Sequence, residues 1–354
     1  MLYSIFKDLK IIDLSTVLAG PSVATFFAEL GADVIKIENK LAPDVTRTWK
    51  IPGEKGEISA YFSSVNYKKK YISLNLKIET DRKELYDLVR NADVVISNFK
   101  AKDEQKLGVT DELLAEINPK IIHAKINGFG EHSDRIAYDL ILQAETGFMS
   151  MNGEPNGLPT KMPLAFIDIL AGHQLKEAIL LAYIQRLKSN KGSNVSVSLY
   201  DAAVCSLSNQ ASNYLMSNHV PKRQGSLHPN IAPYGELFET IDQKHITFAI
   251  GSNTHFEKLC TVLQLEALVD NPDYADNTHR VKNRKVLFEL IQEKVKQWKS
   301  DDLIETCISN FIPAGKVKAL DEVFRDEQAQ RLIEEEIIEH ELTKRVSSIA
   351  FQWH

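Results

Sequence analysis

Leu9-Lys-Ile-Ile-Asp-Leu-Ser15, then Pro21-Ser-Val-Ala-Thr-Phe-Phe-Ala-Glu-Leu30, then Ala32-Asp-Val-Ile-Lys-Ile-Glu38 is the stretch that decides the fold. The first and last segments read as buried strands. Between them Val23, Phe26, Phe27 and Leu30 fall at i, i+3, i+4 and i+7, one face of a helix that Gly31 closes. The theme returns: Tyr71–Lys77 reads as a strand, Asp81–Asn91 as a helix and Asp93–Ser97 as a strand. Thr110 then caps a helix carrying Leu113, Leu114 and Ile117, and Lys120–Ile126 is another strand. Such alternation implies an α/β, Rossmann-like domain with a mostly parallel sheet and helices on both faces. Ligands of such a sheet bind beyond the carboxyl ends of its strands.

Working outward, a long helix is expected from Asp168 to about Lys188, then a turn at Ser189–Ser193, a strand at Asn194–Leu199 and a helix from Asp201. The character changes at Pro221: the stretch from there to Gly235 holds three prolines and two glycines, the mark of a linker or a long functional loop. Beyond it, Leu237–Ile250 reads as a hairpin and residues 254–265, 280–299 and 301–309 as helices; Ile312–Val317 leads into a final helix. The expected domains are 1–220, large and α/β, and 221–320, smaller and α+β, with 321–354 returning to the first. Glu334-Glu-Glu336 reads as a solvated helix face.

At 354 residues the chain suits two domains, and 44% hydrophobic with 25% charged residues is a globular composition. A net charge of −6 offers no general attraction for nucleic acid. Cys205, Cys260 and Cys307 lack metal-ligand spacing and read as free thiols of a reducing compartment. Met1-Leu-Tyr-Ser-Ile-Phe-Lys-Asp8 has no secretory pattern and no apolar run approaches ~18 residues, so a cytoplasmic protein without a membrane span is expected. The turn Leu14-Ser-Thr-Val-Leu-Ala-Gly-Pro21 lacks the glycines of a dinucleotide loop, which argues against NAD, FAD and ATP in their usual modes.

One carboxylate stands out. Asp168, in Leu164-Ala-Phe-Ile-Asp-Ile-Leu-Ala-Gly-His173, falls where an extended apolar run becomes the long helix. There it would accept first-turn N–H groups and stay ionised and exposed; position alone reads first as a helix cap, and the same state is the one a nucleophile needs. His173, His228 and His255 read as surface or structural residues.

Several separated strings then fit together. The opening Leu14–Pro21 and Leu30-Gly-Ala-Asp-Val-Ile-Lys-Ile-Glu38 are followed by Asp44-x-x-Arg47, Tyr61-Phe-x-x-x-Asn66-x-x-Lys69 and Leu74-Asn-Leu-Lys77. Ala92-Asp-Val-Val-Ile-Ser-Asn-Phe99, Tyr138-Asp-Leu-Ile-Leu-Gln-Ala144, Asp168-x-x-Ala-Gly172 and Ala232-Pro-Tyr-Gly235 continue them. In order and spacing over residues 9–325 they resemble the class III CoA-transferases, a family that also holds the α-methylacyl-CoA racemases. The resemblance implies an interlaced homodimer, Asp168 as nucleophile, and an acyl-CoA and a carboxylic acid as substrates, with no permanently bound cofactor. It implies an aspartyl-acyl anhydride and an aspartyl-CoA thioester as intermediates, in a site that a second domain would shield from water.

The same resemblance implies a coenzyme A cleft. Val17 and Ala19 would line it; Leu74, Asn75 and Lys77 would end a strand at its edge, with Asn75 bonding the nucleotide; and Asn98 and Phe99 would follow the next strand, with Phe99 stacking near adenine. Lys100, Lys106 and Arg135 would neutralise phosphates, and Leu18, Arg47 and Tyr138 would border the acyl pocket. Departures from the pattern narrow the reading. Asn39 replaces an arginine, Asn98-Phe-Lys-Ala-Lys102 reshapes a loop, and Leu18 and Gly251-Ser-Asn253 argue against oxalate and formyl-CoA. Tyr138-Asp139 stands where the racemases place His-Asp, and a phenol, titrating ordinarily near ~10, substitutes poorly for that base. A transferase is therefore the first expectation, with a racemase or a non-catalytic CoA-binding protein as alternatives.

Overall fold

The computed structural model describes residues 4–352. The reading of Met1–Tyr3 as part of an opening without a targeting signal lies outside them. The chain divides into two compact units: residues up to Met149 with Lys161–Val220 and the chain from Gln330 onward, and Ser150–Thr160 with Pro221–Ala329.

Six parallel strands build the first unit: β1 (Lys10–Asp13), β2 (Asp33–Glu38), β3 (Lys69–Ser73), β4 (Val94–Ser97), β5 (Ile122–Asn127) and β6 (Ser193–Ser198). Their order is β3-β2-β1-β4-β5-β6, and one row of the register runs Lys70, Ile35, Ile12, Val95, His123, Asn194. The strand order reverses between β1 and β4, so the loops leaving those two strands diverge and open a crevice at their carboxyl ends.

The helices of this unit are α1 (Ala19–Glu29), α2 (Glu79–Val89), α3 (Ala101–Leu107), α4 (Asp111–Ile117), α5 (Asp139–Glu145), α6 (Phe166–Ser189) and α7 (Leu199–Cys205), besides shorter turns and a helix at Ser208–Ser217. On one face of the sheet Val23, Ala24 and Phe27 of α1 pack with Ala171, Leu175 and Ile179 of α6. On the other, Leu85, Val89 and Leu114 of α2 and α4 cover Ile12 and Val95. Gly172 allows α6 to approach the start of α1, since a Cβ there would lie 2.9 Å from Ser22 Oγ and 3.4 Å from the Ala19 carbonyl. In the second unit, β7 (Phe238–Glu239), β8 (His245–Phe248) and β9 (Ala314–Lys316) form an antiparallel sheet, with helices Asn253–Leu263, Arg284–Val295 and Ser300–Ser309 around Phe256, Leu287 and Leu303.

Three local expectations are corrected. Glu334–Glu336 is strand, within the antiparallel hairpin β10 (Ile333–Ile338) and β11 (Glu341–Val346). Its acids answer donors remote in sequence, for Tyr67 Oη donates to Glu334 at 2.8 Å and the Lys68 N–H to Glu336 at 2.9 Å. Ile312–Val317 leads into β9 and one helical turn, Leu320–Val323, rather than a terminal helix. The run 280–299 breaks at Asn283 into Asn277–Lys282 and Arg284–Val295. Among the described residues no helix is long and apolar enough to cross a membrane.

Candidate active site

Asp168 is the third residue of α6, not its cap. It is buried, 8% exposed, which corrects the expectation of an exposed and readily ionised carboxylate. Burial, reinforced by the negative charge of Asp139, pushes its carboxyl up to about 7. The capping expected of Asp168 comes from α5 instead. Asp139 Oδ1 accepts the Ile167 N–H at 2.6 Å, in the first turn of α6. Gln143, one turn along α5, donates through Nε2 to Asp139 Oδ2 at 2.6 Å and accepts the Met162 N–H at 2.8 Å. The entry to α6, and with it Asp168, is thus fixed by two side chains of a neighbouring helix.

A cleft of about 370 Å³ opens at the carboxyl ends of β1, β4 and β5, and Asp168 lines it. Val17, Leu18 and Ala19 border it from the β1–α1 loop, Asn98, Phe99 and Lys100 from the end of β4, and Arg135 and Tyr138 from the segment before α5. Nine expected residues therefore share one cleft. Five do not line it. Leu74 is buried in the core, Asn75 Oδ1 accepts the Lys77 N–H at 3.2 Å, and Lys77 is exposed beside it. Exposed Lys106 lies 3.6 Å from Asp103. Arg47 is held by Glu38 at 2.6 Å and lies 4.0 Å from the Phe62 ring centroid.

Lys125 and the residues that hold it gave no local signal in the sequence. Lys125, near the end of β5, lines the cleft with its ammonium 2.7 Å from Asp111. Asp111 also meets His123 Nδ1 at 2.6 Å, and His123 Nε2 lies 2.9 Å from Ser97 Oγ. Ser97 and His123 are fully buried, so this row ties the end of β4 to β5 and the start of α4 and offers no accessible nucleophile. Tyr61 feels burial and the charges of Asp168, Asp139 and Asp44, which push its phenol up to about 12 and keep it an O–H donor.

The β1–α1 loop ends in an uncapped helix. Leu18 offers no side-chain cap, and among the described residues the amides of Leu18 and Ala19 have no hydrogen-bond partner. Free N–H groups at a helix start favour negative charge. Lys100, Lys125 and Arg135 add cations around the same cleft. The arrangement suits an elongated anion at one end and a developing oxyanion near Asp168 at the other.

A model of CoA-transferase family III matches residues 6–353. The protein belongs to that family. The transferase is 38% identical over 332 residues to the succinate–glutarate CoA-transferase of Agrobacterium fabrum, covering 92% of this chain and 82% of that one. It is 34% identical over 325 residues to the succinyl-CoA:glutarate CoA-transferase of Homo sapiens, covering 91% and 74%. The crystal structure of a CAIB/BAIF family protein from Brucella suis matches it with a TM-score of 0.85 at 37% identity, covering 98% of this chain and 93% of that one. The chain is thus a class III CoA-transferase enzyme, and CoA thioesters are its substrates.

Proposed function

We propose that the enzyme transfers CoA from an acyl-CoA to a carboxylic acid with Asp168 as nucleophile. One observation carries the reading: Asp168 is a buried carboxylate, fixed at a helix entry, in a cleft also lined by Leu18 and Ala19, whose amides have no hydrogen-bond partner among the described residues. A carboxylate Oδ attacks the thioester carbonyl, the C–S bond breaks, and CoA leaves as thiolate from an aspartyl-acyl anhydride. The thiolate attacks the Asp168 carbonyl, releasing the first acid as carboxylate and leaving an aspartyl-CoA thioester. The incoming carboxylate attacks that thioester, and the freed thiolate then attacks the new acyl carbonyl and regenerates Asp168. No water enters and no net proton moves, so the thioester energy is conserved. The Leu18 and Ala19 amides supply donors for the successive oxyanions. Asn98 and Phe99 receive the nucleotide, and Lys100, Lys125 and Arg135 its phosphates, with Val17 along the cleft and Tyr138 at the acyl end.

The names of the relatives favour short dicarboxylates, with succinyl-CoA as donor and glutarate as acceptor. A homodimer agrees with the apolar side chains exposed along α6 and Ser208–Ser217, where Leu181, Leu187, Leu215 and Met216 are each at least 68% exposed. Three free thiols accord with a cytoplasmic setting.

The test is a borohydride-trapped adduct. Incubation with succinyl-CoA, reduction and peptide mass spectrometry should find modification at Asp168, and Asp168→Asn should bind CoA and exchange nothing. Exchange surviving in that variant removes the nucleophile; α-deuterium exchange without a second acid would make the enzyme a racemase.

A further inference from the structure

The loop that enters the cleft is gripped residue by residue. The Ser15 N–H donates to Asp13 Oδ1 at 3.0 Å, and the Ser15 carbonyl accepts Lys36 Nζ at 2.8 Å. Thr16 exchanges two hydrogen bonds with Asn98, at 3.2 and 3.0 Å. The Val17 N–H faces the Asp44 carboxylate, 3.2 Å from Oδ2. Val17 itself has φ 73°, the left-handed region that a β-branched side chain rarely enters. Outliers of this kind persist where the surroundings force them, and they gather where function needs the geometry.

Asp44 holds the strained residue and is itself held. Lys36 Nζ lies 3.2 Å from Oδ2, the Thr46 N–H and Oγ1 donate to Oδ1 at 3.1 and 2.7 Å, and the Asp44 N–H donates to Glu38 at 2.9 Å. Behind this pair Asp13 bonds Lys69 at 2.8 Å, all four charges being buried. Asp44 does not line the cleft, whereas the next residues after Val17, Leu18 and Ala19, do.

We propose that Asp44, backed by Lys36, is a positioning residue for acyl transfer: it holds the Val17 turn so that the Leu18 and Ala19 amides face the carbonyl attacked by Asp168. The inference rests on the reading of Asp168 given above. Without the clamp the turn relaxes and those amides swing away, while Asn98, Lys100 and Arg135 keep their hold on CoA. The effect belongs in kcat and leaves KM for the CoA donor nearly unchanged. Glycine takes the positive φ unaided, so a glycine at 17 makes the clamp dispensable.

Asp44→Asn, Val17→Gly and their combination test this. Asparagine removes the charge that answers Lys36 and keeps one acceptor oxygen, which can serve Val17 and Lys36 or Thr46 but not both, so the clamp is weakened. Asp44→Asn should lower kcat about 100-fold with KM within about threefold, and should cost less than about tenfold in the Val17→Gly background. An equal cost in both backgrounds, an unchanged kcat, or a loss confined to KM would overturn the proposal. Should Asp44→Asn fail to fold, Lys36→Met with Asp44→Asn removes both charges and enters the same cycle. Asp168→Asn measured alongside separates the two readings, because exchange surviving there removes the nucleophile whatever residues 17 and 44 do.

Discussion

Asp168 is an expensive residue to keep in the fold. Its carboxyl titrates at about 7 in the native state against an ordinary 3.8, because burial and Asp139 both oppose its charge. Between those values the native protein binds more protons than the unfolded chain, so stability falls as pH rises through the window. The penalty is absent below about pH 4 and complete above about pH 7, on the order of a few kcal/mol. Asp168→Asn removes it. We expect the variant to melt several degrees above the parent at about pH 8 and close to it at about pH 4, on the scale of about 2–4 °C per kcal/mol. Scanning calorimetry at both pH values checks this, and an equal gain at both, or a loss at the higher one, would contradict the assignment. The position of Asp168 is legible in the sequence; its protonation is not, because the groups that desolvate it come from other elements. A stabilising change that abolishes turnover is the usual signature of a residue retained for chemistry.

At the scale of elements, much of the first unit is readable because apolar period follows burial. Val23 and Phe27 mark the inner face of α1, and Ile11–Ile12 of β1 and Val94–Ile96 of β4 are consecutive buried apolar residues, as strands covered on both faces carry. Side chains that act across elements are not readable. Asp139 looks like the first-turn acid of its own helix, yet it caps α6, and Asp44 looks like a loop residue, yet it clamps Val17. Glu334–Glu336 misleads for the same reason, since three consecutive acids suggest solvent until Tyr67 and Lys68 are brought beside them. The α5–α6 contact has a kinetic consequence. On the proposed reading Asp168 attacks as a carboxylate, so kcat/KM for the acyl-CoA should climb with pH through about 7 in the free enzyme. Asp139→Asn keeps an oxygen for the Ile167 N–H but removes the charge that opposes Asp168, so this limb should move to lower pH. A pH–rate profile with the limb unmoved would mean that burial alone sets it.

At the scale of the molecule, the chain closes on itself through its last described residues. The hairpin β10–β11 belongs to the first unit and lies against segments some 270 to 320 positions earlier in sequence, which is why no local pattern announces the join. Glu341 accepts the Glu57 and Ile58 N–H groups at 2.7 and 2.9 Å, and Glu339 meets Arg47 at 3.1 Å. The centre of the join is Glu29 of α1 with Arg345, both nearly inaccessible, in direct contact. Ser347 Oγ donates to Glu29 at 2.8 Å and the Ser348 N–H at 3.0 Å, while the Arg345 guanidinium lies 4.0 Å from the Tyr67 ring centroid. An ion pair this deep contributes little net stability as a pair, but removing one partner leaves the other charge buried and uncompensated. Arg345→Met should therefore destabilise the first unit by about 3–5 kcal/mol, and adding Glu29→Gln should recover part of the loss. Equilibrium urea unfolding of the three variants decides it. If Arg345→Met unfolds at the parent's midpoint, the hairpin is an appendage; if the double variant recovers, the closure depends on charge balance rather than on the arginine as such.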